Sequence, residues 1–193
     1  MKNSWKPWDS IFQAISQSQR IVVLHGEITK KTADTVITQI LELEVRDKSR
    51  DILFCLNSNG GDVKAGMAIH EVMQLTACNV ATLCFGQAAS MAVLLLAAGA
   101  RGQRMALPGA RIMFHQPWNG LCDPPMDKEK QIKRMMLLKE LLIDILYKHT
   151  DGFLKNVFPP DFCGKFFLTA QEAKAFHLID HIVSLSEFPH MPC

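Results

Sequence analysis

Residues 88–100, AASMAVLLLAAGA, constrain the fold more than any other stretch of this chain. Past Ser90 this run carries no polar side chain, so a helix formed from it is apolar on every side. Such a helix must be buried on every side. It is too short for the roughly 20 apolar residues of a membrane span. It therefore demands a layered protein that can wrap it, and no membrane partner is expected. The sequence has the material: 48% of the 193 residues are hydrophobic, which suffices for a real core.

The flanking text supplies the layers. RIVVLHGEI (Arg20–Ile28), DILFCLN (Asp51–Asn57), NVATLCF (Asn79–Phe85) and ARIMFHQP (Ala110–Pro117) read as strands, rich in β-branched residues and bounded by Gly, Asn or Pro. Between them, Thr32–Val45 and about Val63–Thr76 carry apolar residues at helical spacing. Alternating strand and helix argues for an α/β protein, with the turns after strands as the functional region. Beyond Pro117, WNGLCDPP is loop chemistry, and Met126–Thr150 reads as one long helix. A helix of that length projects from a compact core or packs on a partner. DGFLKNVFPPDFCGKFF (Asp151–Phe167) reads as loop, and Thr169 with Glu172 forms a capping box that starts a short final helix.

Bulk properties narrow the function. A net charge of +2, without basic runs interleaved with aromatics, gives no reason to expect nucleic acid. The N-terminal twenty residues lack the apolar stretch of a signal peptide, which leads to the expectation of a cytoplasmic protein. Cys55, Cys78, Cys84, Cys122, Cys163 and Cys193 form no CxxC and no zinc spacing with histidine, so they read as structural thiols and no metal is expected.

Three turns past strand ends carry polar residues: Asn57–Asp62 (NSNGGD), Gly86–Met91 (GQAASM), and His115 with Gln116. A serine, a histidine and a Gly-Gly turn are the parts of an acyl-transfer site. The hydroxyl becomes nucleophilic when an imidazole takes its proton. Backbone N–H groups at a glycine turn can approach an oxyanion closely. Taken singly, each has a plainer reading. Ser90 is also a good helix N-cap, His115 a hydrogen-bonded structural residue, and Gly60-Gly61 an ordinary turn.

Taken together, LNSNGGDVKAGMAIHEVMQ, GQAASMAVLLLAAGARGQRMALPGARIMFHQP and LTAQEAKAFHLIDHIV closely resemble the ClpP family, the proteolytic subunits of the ATP-dependent Clp protease. The resemblance runs from about Arg20 to Val183. It implies the ClpP/crotonase fold: a single domain over 1–193 of stacked ββα units, with an N-terminal segment (1–19), a head core (20–117), a protruding helical handle (118–150) and a C-terminal part of the head (151–193). It implies a serine endopeptidase that hydrolyses unfolded polypeptides through an acyl-enzyme. Ser90 would be the nucleophile and His115 the general base, with the backbone of Gly61 and Met91 as the oxyanion hole. No cofactor is implied, because ATP is used by a partner AAA+ unfoldase. The partners implied are further ClpP-like subunits, identical or paralogous, in two stacked heptameric rings.

The sequence departs from that pattern where the third catalytic group is expected. Aligned from Leu168, the family's aspartate falls on Lys165, or on Gly164 without the one-residue insertion; Asp161 is the nearest carboxylate in the loop. The triad acid holds the imidazole in one tautomer and stabilises the imidazolium, and a lysine does neither. Other departures are Asn59 for proline in the Gly-Gly turn, Ala92 for glycine after the serine, CDPPMDKEK at the start of the handle, and Leu53 and Cys55 for the paired aromatics of the unfoldase-docking pocket. These favour an alternative, a non-catalytic structural or regulatory subunit of a mixed ring. A crotonase-type acyl-CoA enzyme would leave Ser90 and His115 unexplained, and a Ser–Lys peptidase using Lys165 would make His115 redundant.

Overall fold

In a computed structural model, residues 20–115, 128–152 and 165–184 are described. The first three strands are β1 (Ile21–Ile28), β2 (Ile52–Gly61) and β3 (Val80–Ala89), paired in parallel in that order. Helix α1 (Lys30–Arg46) connects β1 to β2, and α2 (Val63–Leu75) connects β2 to β3. Both helices start on a side-chain cap. Thr29 and Thr32 form a reciprocal capping box on α1, so it begins two residues before the expected Thr32. Asp62 accepts the Ala65 N–H at 2.7 Å on α2. Ala33, Val36, Ile40 and Leu43 are the buried stripe of α1. Its C-terminal carbonyls are met by the buried Arg20, whose guanidinium donates to the Leu43 C=O at 2.8 Å and the Asp47 C=O at 3.0 Å.

The expected all-round apolar helix is α3 (Met91–Ala97), with every residue buried. It packs on β2, β3 and α2. β4 (Arg104–Ala106), β5 (Arg111–His115), α4 (Lys128–His149), β6 (Lys165–Thr169), α5 (Ala170–Ala175) and β7 (His181–Ile182) follow. Thr169 and Glu172 form the expected capping box on α5.

The sheet forks at β3. Thr82–Cys84 pair with β4, which carries β7 on its far side, whereas Gln87–Ala89 pair with β5. Antiparallel to β5 lies β6. Two apolar layers result. On the helix side, Ile52, Phe54 and Leu56 join the main core; on the other face, Leu53 packs with Ala81, Leu83, Met105 and Val183. This is the period-two consequence of a strand buried on both faces.

Two sequence expectations are corrected here. β2 and β3 do not stop at Asn57 and Phe85 but continue to Gly61 and Ala89, beyond a register shift between Leu56↔Cys84 and Ser58↔Ala88. Asn57 spans the irregularity: its Oδ1 accepts the Gln87 N–H at 3.1 Å, replacing a missing ladder bond. The segment read as loop up to Phe167 is already strand from Lys165, because it pairs with β5.

The C-terminal end of α4 is anchored to the head. Arg104 donates to the His149 C=O at 2.7 Å and grips the Asp180 carboxylate with Nε at 2.9 Å and an Nη at 2.7 Å. Nε2 of His149 lies 3.1 Å from Nε2 of His70 on α2. With ring centroids 5.4 Å apart, the rings meet end-on, and one donates to the other.

Candidate active site

Ser90 occupies the turn between β3 and α3 with φ 54° and ψ −123°. A non-glycine residue in this region costs on the order of 1–3 kcal/mol and persists only where the surroundings impose it. Here its N–H donates to the Met113 C=O on β5 at 2.8 Å, and its C=O accepts the Val93 N–H at 3.0 Å. Although Ser90 stands at the N-cap position of α3, its hydroxyl makes no capping hydrogen bond. The hydroxyl is therefore not engaged in capping the helix. A serine on a sharp, strained strand-to-helix turn is the arrangement that exposes a nucleophilic Oγ.

The Gly-Gly turn ending β2 presses against this one. Gly60 has φ +82°, and a Cβ there would lie 2.6 Å from the Ala89 carbonyl oxygen, 2.8 Å from Ser90 Cβ and 3.0 Å from Met91 N. Only a residue without a side chain allows this approach. The Gly60 N–H is taken by the Ser58 hydroxyl at 3.0 Å. Gly61 differs. It pairs with Ile28, whose C=O accepts the N–H of Asp62 at 2.8 Å. In a parallel ladder, the residue opposite such a pair turns its own N–H away from that neighbour. The Gly61 N–H is thus directed away from β1, to the side on which β3 lies. A Cβ on Gly61 would collide with the Ile28 carbonyl.

His115 ends β5, half-buried. The register Ala89↔Met113 and the Ser90–Met113 bond bring the end of β5 alongside the serine turn. On its other side, His115 is paired with Lys165 of β6. Directly opposed residues share a face of the sheet. Ile112 and Phe114 turn to the core with Leu168, while Met113 and His115 lie on the face of the exposed Phe167 and Lys165. Asp161 and Gly164 lie outside the described residues, as do Gln116 and Pro117.

Burial excludes two of the described cysteines as nucleophiles. Burial pushes the Cys55 thiol up to about 12 and the Cys84 thiol up to about 11, far from thiolate formation at neutral pH. Cys78 is buried beside the Arg20 guanidinium. No three His, Cys, Asp or Glu side chains among the described residues cluster to hold a metal ion.

The sequence points to Gly61 and Met91, and not to Gly60, which packs on the serine turn, or to Ser58, which accepts its N–H. The NSNGG text was the available signal, yet local sequence cannot tell which glycine faces the serine turn. It also could not show Lys165 in register with His115.

The ends of β2, β3 and β5 thus converge at the carboxyl edge of a mainly parallel sheet, where α/β proteins form their sites. The chain belongs to the Clp protease family, which it matches over residues 3–186. It is similar to the ATP-dependent Clp protease proteolytic subunit of Borreliella afzelii, at 42% identity over 178 residues covering 91% of this chain and 90% of that protein. It is equally similar to the ATP-dependent Clp protease proteolytic subunit 1 of Borreliella burgdorferi, at 42% identity over 178 residues and 91% of each chain.

Proposed function

We propose that this chain is a serine endopeptidase subunit of a Clp-type protease, with Ser90 as nucleophile and His115 as general base. The observation that carries this is the Ser90 turn: strained backbone, uncapped hydroxyl, and Gly60 packed against it. His115 would take the Oγ proton as Oγ attacks the scissile carbonyl, then return it to the leaving amine. The N–H groups of Gly61 and Met91 would stabilise the oxyanion; Met91 N–H is among the orphan donors of the first turn of α3. This chemistry calls for no cofactor in this chain. ATP would be spent by an AAA+ unfoldase that delivers unfolded polypeptide.

Assembly with identical or paralogous subunits in stacked heptameric rings fits α4. Its 22 residues leave Met136, Leu137 and Leu141 about half exposed, an apolar surface suited to burial as a handle against another subunit. Among the described residues no helix is long and apolar enough to cross a membrane. We place the assembly in the cytoplasm.

The pairing of His115 with Lys165 favours a second reading, a non-catalytic subunit beside an active paralog. Labelling with a fluorophosphonate separates the two. A catalytic chain takes up label in its assembled state and loses it on Ser90→Ala. A chain that takes none is a structural subunit, and native mass spectrometry with a co-expressed paralog then shows it in mixed rings.

A further inference from the structure

We propose that Ser58 is a positioning residue for the oxyanion hole, acting through Gly60. The proposal rests on the reading of Ser90 as nucleophile and Gly61 as donor.

Ser58 is the last residue of β2 in register with β3, facing Ala88 two residues before the serine. It is 2% exposed. Past it, the chain leaves the β3 ladder, and of the next residues Asn59 and Gly61 are exposed while Gly60 is buried, so the Gly60 N–H needs a partner from the protein. The Ser58 hydroxyl does this for Gly60, accepting its N–H at 3.0 Å in a local side-chain turn. The bond has two consequences. It fixes Gly60 in its left-handed conformation, with its Cα on Ala89, Ser90 and Met91. It also occupies the Gly60 N–H, so the donor available to an oxyanion is that of Gly61, turned away from β1. Without the hydroxyl, the buried Gly60 N–H seeks another acceptor, the Asn59–Gly60 peptide rotates to find one, and the adjoining Gly60–Gly61 peptide that carries the donor shifts with it. A small displacement of such a donor matters because its effect depends on alignment with the developing charge.

The test is steady-state hydrolysis of a fluorogenic peptide by the full chain in the assembly it forms. Ser58→Ala is expected to lower kcat by up to about 100-fold, the effect of a misplacement near 1 Å, with KM unchanged. Ser58→Cys, close in volume but a weak acceptor, is expected to match it and stands in for Ala should that variant not fold. Ser58→Thr keeps the acceptor and is expected to restore kcat. Wild-type kcat in the Ala and Cys variants overturns the proposal. So does a loss carried by KM, or a Thr variant as impaired as Cys. A merely structural role would lower the melting temperature while leaving kcat of the folded fraction intact. Fluorophosphonate labelling of the wild type is run in parallel. Absence of label there removes the Ser90 reading and this proposal with it, whereas label with unaffected Ser58 variants removes this proposal alone.

Discussion

His115 and Lys165 face each other across the antiparallel pair β5–β6, the last pair of that ladder. In such a pair the Cβ atoms lie about 4.5–5.5 Å apart, so a short side chain at 165 can reach the imidazole. A lysine cannot hold the ring by accepting its N–H. A carboxylate can, and in serine proteases its loss costs about 10⁴ in kcat. Lys165→Asp is therefore expected to raise peptide hydrolysis at least tenfold, read as kcat on a fluorogenic peptide. If Lys165→Asp adds nothing while Asp161→Asn abolishes activity, the carboxylate belongs to Asp161.

Gly60 offers a sharper test of the serine turn. Alanine at positive φ costs about 1–2 kcal/mol anywhere, and Gly26 shows the cost without collision: φ +86° with no atom within 4 Å of a built Cβ. Gly60→Ala adds a methyl to a gap already filled by Ala89 O and Ser90 Cβ. Urea denaturation is expected to show Gly60→Ala more destabilised than Gly26→Ala, and only Gly60→Ala is expected to lose fluorophosphonate labelling. Equal loss of labelling in both would detach Gly60 from the site.

The contrast between these glycines shows what was legible in the chain. Long, strongly patterned segments were read within a few residues: β1, α1, α2, and α3 as a helix buried all round. β4 and β7 have three and two residues, too few for a period to register, and β6 follows directly on the loop-like PPDFCG text; only their partners make them strands. NSNGG and FGQ carry turn residues, so extended pairing through them was hidden. Asn57 supplies a backbone partner there from its side chain. In the site, Ser90 and His115 stand out by residue type and place. The contacts of Ser58 and Gly60 depend on which backbone group meets which across two crossovers, and no local pattern encodes that.

Acid should loosen the junction between α2 and α4. Burial foremost, then the charges of His70, Lys148, Arg104 and Arg101, push His149 down to about 4. His70 is also lowered, chiefly by burial; Glu71, 3.6 Å from its Nδ1, works the other way. The unfolded chain titrates these histidines near 6.5, so between about 6.5 and about 4 it binds more protons than the folded one. Stability from the pair is complete above that window and is lost as pH falls through it. Urea midpoints across the window are expected to fall more steeply for wild type than for His149→Gln. Parallel slopes in the two proteins would show that the histidine pair does not set the acid response.

Arg104 and Asp180 supply the last prediction. The Arg104 side chain is 6% exposed and that of Asp180 20%. Burial raises the Asp180 carboxyl, but the bonds and charge of Arg104 outweigh it and leave it below its ordinary value. The Asp180 Oδ2 also accepts the Arg104 N–H at 3.0 Å, and the Asp180 N–H donates to the Arg104 C=O at 2.7 Å, so the pair stitches β4 to the turn before β7. Breaking a buried pair from one side costs about 3–5 kcal/mol, because the remaining charge stays desolvated. Asp180→Asn is expected near the lower figure, since its side chain is partly solvated. Arg104→Met adds the loss of the donor to the His149 carbonyl and is expected nearer the upper one. Combining Arg104→Met with Asp180→Asn leaves no orphan charge, so the double variant should be destabilised by clearly less than the sum of the single changes. Additive losses in denaturant midpoints would mean that the two side chains stabilise the fold independently rather than as a pair.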